Sequence, residues 1–152
     1  MERGLPETNV VAAFDHASAT SPKDLTRMVR VLIVDDEENQ RRVLSIGLKV
    51  EGFEVFAAAS ADDALELLAT RHIDVALVDL MIPGMNGLEL SRQIARRYPG
   101  VSVWLASAYH LSARQMERAD CGASGFIPKP YKLSDLCNTL RAKPAAAIAA
   151  TC

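Results

Sequence analysis

The sequence predicts an α/β fold: a doubly wound, five-stranded parallel sheet with helices on both faces. Three observations carry that reading. Short β-branched runs such as Val31-Leu32-Ile33-Val34 and Val75-Ala76-Leu77-Val78 show no alternation of apolar and polar residues, the mark of strands buried on both faces. Stretches with helical apolar spacing separate the runs, and strand–helix–strand repetition imposes right-handed parallel crossovers. The 152 residues, 49% hydrophobic and 24% charged, suit one domain rather than two.

Residues 1–29 mix Gly, Pro, Ser, Thr and Ala without sustained periodicity and read as a flexible arm. The predicted fold spans 30–143. Its first strand is the run from Val31 to Val34, and the helix after it carries Val43, Ile46, Gly47 and Val50 on one apolar face, with Gly52 as its stop. Val55 to Ala59 forms the second strand. Ser60, with Asp63 three residues on, caps a helix whose apolar face is Ala64, Leu65, Leu67 and Leu68. Val75 to Val78 is the third strand and Val101 to Ala106 the fourth, with a third helical stretch between them. A fourth helix, Ser112 to Asp120, offers only Met116 and Ala119 as a stripe and docks weakly, with Gly122 at its end. Gly125-Phe126-Ile127 makes the fifth strand, and Pro128 should end its ladder early. Leu133, Leu136, Cys137 and Leu140 give the fifth helix its i, i+3, i+4, i+7 face, closed by Pro144. Residues 144–152 are an Ala-rich tail.

Composition narrows the function classes. Seventeen basic against 19 acidic side chains, a net charge of -2, provide no global positive field for phosphate backbones, so direct DNA binding is not expected. The longest apolar run, Ala145 to Ala150, falls far short of the ~20 residues of a membrane span, and the first residues lack the pattern of a secretory signal, so a cytoplasmic location is expected. Cys121, Cys137 and Cys152 read as free thiols, and His16, His72 and His110 share no metal-ligand spacing.

The chemistry gathers at the strand ends. Asp35 and Asp36 follow the first strand, Asp79 ends the third, Ser107 ends the fourth and Lys129 follows the fifth. In a doubly wound sheet the first and third strands are neighbours, so the three carboxylates converge in one crevice. Two such charges ~5 Å apart at an effective dielectric of 20 repel by ~3 kcal/mol, which calls for a cation. An all-oxygen donor set that leaves room for water suits Mg²⁺. With Lys129 and the Ser107 hydroxyl opposite, the crevice is one for a phosphoryl group in transfer, with one carboxylate as the in-line nucleophile. Each residue taken singly has an ordinary explanation: a solvated acidic loop, a turn aspartate, a strand-end hydroxyl, a surface lysine. Matching positions at four strand ends do not.

Four strings, Val31-Leu32-Ile33-Val34-Asp35-Asp36-Glu37, Val78-Asp79-Leu80-Met81-Ile82-Pro83-Gly84-Met85-Asn86-Gly87, Ala106-Ser107-Ala108 and Gly125-Phe126-Ile127-Pro128-Lys129-Pro130, closely resemble the receiver domain of two-component response regulators. The resemblance covers about residues 30 to 143 and implies the flavodoxin-like strand order 2-1-3-4-5. It implies that Asp79 accepts a phosphoryl group from a sensor histidine kinase or a histidine phosphotransfer protein, and that the chain assists its own phosphotransfer and autodephosphorylation without being a turnover enzyme. Asp36 and Asp79 would bind Mg²⁺ directly, Asp35 mainly through water, and the Met81 carbonyl would complete the set. Lys129, before a cis prolyl bond to Pro130, would pair with the phosphoryl oxygens. Ser107 and the Ala108 amide would swing toward them, letting Phe126 turn and remodel the face of the fourth helix, fifth strand and fifth helix.

The departures also carry expectations. Phe126 lacks the hydroxyl of the tyrosine often found there, so its switch must be read by packing. Met81 and Tyr109 stand where the family tunes attack by water; both are bulky, and a long-lived phosphorylated state is expected. A stand-alone receiver that signals by binding a downstream protein is the leading expectation. An aspartyl-nucleophile phosphohydrolase is less favoured because its D-x-D motif after a first strand is absent, and a receiver-like scaffold that is never phosphorylated is disfavoured by intact Asp79, Ser107 and Lys129. Arg114, Glu117, Arg118 and Asp120 could form cross-subunit ion pairs in a homodimer through the fourth helix, fifth strand and fifth helix, although a solvated helix face explains the same charges more simply.

Overall fold

The computed structural model describes residues 28–108, 115 and 120–142. The arm as far as residue 27, most of the predicted fourth helix, Tyr109 and the Ala-rich tail lie outside them. Within the described residues the chain runs β1 (Arg30–Val34), α1 (Glu38–Val50), β2 (Glu54–Ala58), α2 (Ala61–Thr70), β3 (Val75–Asp79), α3 (Gly87–Arg97), β4 (Ser102–Ser107), β5 (Gly125–Pro128) and α4 (Leu133–Arg141). All pairings are parallel and the order is β2-β1-β3-β4-β5, as expected.

Both faces of the sheet are buried, which is why the strand sequences do not alternate. Leu32, Val34, Ala76, Val78, Val103 and Leu105 point to one face, where Ala64 and Leu68 of α2 and Leu90 and Ile94 of α3 cover them. Val31, Ile33, Val75 and Leu77 point to the other, under Leu48 of α1 and Leu136, Cys137 and Leu140 of α4. Local signals behave as read: the Ser60 side chain accepts from the Asp63 N–H at 3.1 Å, and Gly52, at φ +98°, turns the chain out of α1. Asn86, which the sequence reading passed over, caps α3 by accepting from the Glu89 N–H at 2.9 Å.

Three expectations need correction. Val43, Ile46 and Val50 do not form the buried face of α1; they are 70%, 58% and 78% exposed. Leu44 and Leu48 face the sheet instead, with Leu48 fully buried, and the rival stripe is turned outward. Arg41, three and seven residues before them and so on the same side of the helix, donates its guanidinium to the Asp35 carbonyl at 2.8 Å. Pro128 does not end the fifth ladder either, since it pairs with Ser107 in register. In a parallel ladder the Ser107 carbonyl bonds the residue after its partner, and it accepts from the Lys129 N–H at 2.9 Å; the nitrogen of Pro128 faces the open side of this edge strand, where no ladder donor is needed. The last helix ends at Arg141, three residues before Pro144, with the Ala142 N–H donating to the Asn138 carbonyl.

The start of α3 is pressed against the end of β3. The Gly87 N–H donates to the Leu80 carbonyl at 2.8 Å, and a Cβ on Gly87 would stand 2.6 Å from the Asp79 carbonyl oxygen and 2.8 Å from the Leu80 Cα. Backbone cannot yield as a flexible side chain can. Gly87→Ala is expected to destabilise the fold by about 1–3 kcal/mol, whereas Gly100→Ala, which meets nothing within 4 Å, should stay within about 0.5 kcal/mol. Urea unfolding of the two variants checks this.

Candidate functional site

The strand order places the ends of β1 and β3 side by side. One carboxylate oxygen from each of Asp35, Asp36 and Asp79 lies within 4.8 Å of the others. Asp35 is buried, Asp79 half-buried and Asp36 exposed, so the cluster opens to solvent on one side. Asp35 is held firmly: its amide donates to the Ala58 carbonyl at 3.1 Å, and its Oδ1 accepts from the Glu37 N–H at 2.9 Å. Asp79 is held more loosely, with Oδ1 3.4 Å from the Met81 N–H.

The protein supplies its own counter-charge. Lys129 Nζ is 3.2 Å from Asp35 Oδ2 and 3.7 Å from Asp79 Oδ2. The Lys129-Pro130 bond is cis, as the resemblance implied. Ser107 is buried at the end of β4, Ala108 is exposed beside it, and Met81 is exposed at the rim past Asp79. Phe126 is half-buried and packs against the core face covered by α2 and α3. Thus the structure brings Asp35, Asp36, Asp79 and Lys129 together, sets Ser107 and Ala108 at the end of the neighbouring β4, and packs Phe126 in the core.

Burial raises the Asp79 carboxyl above its ordinary range, Lys129 pulls it down, and Asp35 and Asp36 push it up further; the balance is upward. The Tyr131 hydroxyl, also pushed by burial and by Asp35 and Asp79, rises to about 12 and stays a neutral phenol.

Several contributors escaped the sequence reading. Gln40 accepts from Lys129 Nζ at 2.9 Å through Oε1, and nothing in its type or spacing sets it apart from other polar residues in the first turn of a helix. Beside it, a groove of about 800 Å³ runs between α1 and α4, lined by Gln40, Val43, Gly47, Ala108, Lys129 and Leu133 among others. Its visible signal was the apolar stripe of α1, read as core. Away from the site, the His72 Nε2 lies 3.1 Å from Asp74 Oδ1, and Cys121 and Cys137 are buried cysteines not joined in a disulfide. No helix among the described residues is long and apolar enough to cross a membrane.

The donor set fits a divalent ion: oxygen ligands only, anionic, clustered and open to water on one side. Because the folded state holds the Asp79 proton more tightly than the unfolded chain does, the fold is free of this penalty below the unfolded value and bears it once pH has risen through the folded one. Without divalent ions, Asp79→Asn should therefore melt higher than the wild type near neutral pH. The advantage should shrink on acidification; a thermal melt series in chelator reads it, and an advantage that grows toward acid contradicts it.

Comparison with known proteins bears on the same residues. The family model described as response regulator receiver domain matches residues 31–141. The chain is 37% identical over 112 residues to the regulatory protein AtoC of Escherichia coli, covering 74% of this chain and 24% of that one. It is 38% identical over 103 residues to a cyclic di-GMP phosphodiesterase of Thermotoga maritima, covering 68% and 27%. The chain thus spans about a quarter of the length of these curated relatives. Among solved structures, the chemotaxis response regulator CheY4 of Vibrio cholerae superposes with a TM-score of 0.69 at 29% identity, covering 76% of this chain and 98% of that one.

Proposed function

The chain belongs to the response regulator receiver domain family and so to two-component signalling, and from that premise we propose that Asp79 is its phosphoacceptor. Receiver domains are generally phosphoacceptors rather than enzymes, and histidine kinases and phosphotransfer proteins are what they interact with. The observation that carries the assignment is the meeting of three carboxylates within 4.8 Å with the Lys129 ammonium 3.7 Å from Asp79 Oδ2. Such an arrangement holds a nucleophile among groups able to balance the charge of a transferring phosphoryl group.

In this reading an Asp79 oxygen attacks the phosphorus of a donor phosphohistidine. The P–O bond forms as the P–N bond breaks, and the donor imidazole leaves with the electron pair. Lys129, the Ser107 hydroxyl and the Ala108 amide take up the charge on the phosphoryl oxygens. Asp35, Asp36, Asp79 and the Met81 carbonyl would hold Mg²⁺, which when bound neutralises the same oxygens. Phe126, a ring without a hydroxyl, answers the movement of Ser107 by packing alone and so shifts the population of two arrangements of the surrounding face.

Incubation with acetyl phosphate and Mg²⁺, followed by intact-mass measurement, should add one phosphoryl mass to the wild type and none to Asp79→Asn. Catalytic turnover of a phosphate ester would favour a phosphohydrolase instead, and no adduct would favour a scaffold. Met81 stands exposed at the rim past Asp79, and in this reading it and Tyr109 slow attack by water on the anhydride because both side chains are bulky. The adduct of a Met81→Asn, Tyr109→Glu double variant should therefore decay several-fold faster than that of the wild type.

The groove between α1 and α4 is where the phosphodonor docks in this reading. It shares Lys129, Ala108 and Gln40 with the site and carries Val43 on its wall, so an apolar helix face laid there brings its histidine to the opening above Asp79. Val43→Glu should leave phosphorylation by acetyl phosphate unchanged. Transfer from a phosphorylated histidine phosphotransfer protein should fall by roughly tenfold or more; equal loss from both donors would place Val43 in the fold instead.

A further inference from the structure

We infer that Gln40 is a positioning residue for Lys129: in the resting protein its carboxamide holds the ammonium away from Asp79, so a phosphoryl group must compete with Gln40 for the lysine. This inference rests on the phosphoacceptor reading of Asp79.

The distances order the competitors. Lys129 Nζ donates to Gln40 Oε1 at 2.9 Å and to Asp35 Oδ2 at 3.2 Å, while Asp79 Oδ2 stands at 3.7 Å. An ammonium has three N–H donors. Two are engaged with Asp35 and Gln40, and the nucleophile is within ion-pair reach but beyond hydrogen-bond distance. A neutral amide thus sits closer to the lysine than the carboxylate whose reaction the lysine serves.

Gln40 is itself oriented from both ends. Its Nε2 donates to the Glu37 carboxylate, which offers only acceptors, and its Oε1 faces an ammonium, which offers only donors. The side chain cannot turn over without setting donor against donor and acceptor against acceptor. Glu37 is tied in turn, since its amide donates to Asp35 Oδ1 at 2.9 Å. The chain of contacts Asp35–Glu37–Gln40–Lys129 therefore links the acidic loop after β1 to the lysine beyond β5, and it closes on Asp35.

The consequence is a resting geometry that leaves Asp79 unmasked for attack. It also sets a threshold for the phosphorylated state, because Lys129 leaves the Gln40 acceptor to reach the phosphoryl oxygens. A hydrogen bond to a charged group at a partly exposed position shifts such an equilibrium by about threefold to tenfold.

Beryllofluoride with saturating Mg²⁺ serves as the probe of the phosphoryl position, its binding read by calorimetry on the full chain. Gln40→Met keeps length and helix propensity without the acceptor and should bind the probe about threefold to tenfold more tightly than the wild type. Gln40→Glu keeps an acceptor, adds charge, and should bind it more weakly. In a Lys129→Ala background the Gln40→Met change should have no effect, because its partner is gone. An unchanged affinity in Gln40→Met, the same shift with and without Lys129, or weaker binding in Gln40→Met overturns the inference. Failure of the wild type itself to take up beryllofluoride with Mg²⁺ would instead overturn the phosphoacceptor reading.

Discussion

Three like charges at one rim of a parallel sheet are the constraint on which the rest of this structure depends. Asp35, Asp36 and Asp79 are brought within 4.8 Å because β1 and β3 are neighbours in the sheet, and their mutual repulsion has no compensation within those two strands. The compensating ammonium comes from beyond β5, two places along the sheet from β3, and reaches Asp35 at 3.2 Å. The burial that raises the Asp79 carboxyl and the lysine that lowers it act on the same atoms. The site is thus held between charge repulsion and charge pairing, poised to admit a cation or a group rich in oxygen.

Backbone rather than side chains sets that geometry. The Ser107 carbonyl accepts from the Lys129 N–H across β4 and β5, so the lysine is fixed relative to the hydroxyl that would share its ligand. Gly87 brings the start of α3 against the carbonyl of Asp79, closer than any side chain would permit. Such contacts make the rim a rigid edge of the sheet, and freedom is left to the long side chains of Lys129 and Gln40.

Helix α1 shows how two readings of one sequence can compete. Leu44 and Leu48 offer one apolar stripe, and Val43, Ile46 and Val50 offer a second, rotated around the helix. Periodicity scores both as amphipathic and cannot say which meets the sheet. Packing against β1 and its neighbours decides it, burying Leu48 completely, and the bond from Arg41 to the Asp35 carbonyl forms on the same side. The stripe left outside then becomes a wall of the groove beside Lys129.

The sequence by itself determined the strands and their parallel arrangement, because unbroken apolar runs between helices leave a chain of this length no other way to bury both faces. It also determined which carboxylates, hydroxyl and lysine stand at the strand ends, since these follow from chain order. Tertiary packing alone decided the rotation of α1, the register that turns the nitrogen of Pro128 to the open edge of the sheet, and the capture of the Lys129 ammonium by Gln40. Each of these is a contact between groups far apart in the chain, or a choice between two local patterns of similar strength. Spacing along a sequence records neither.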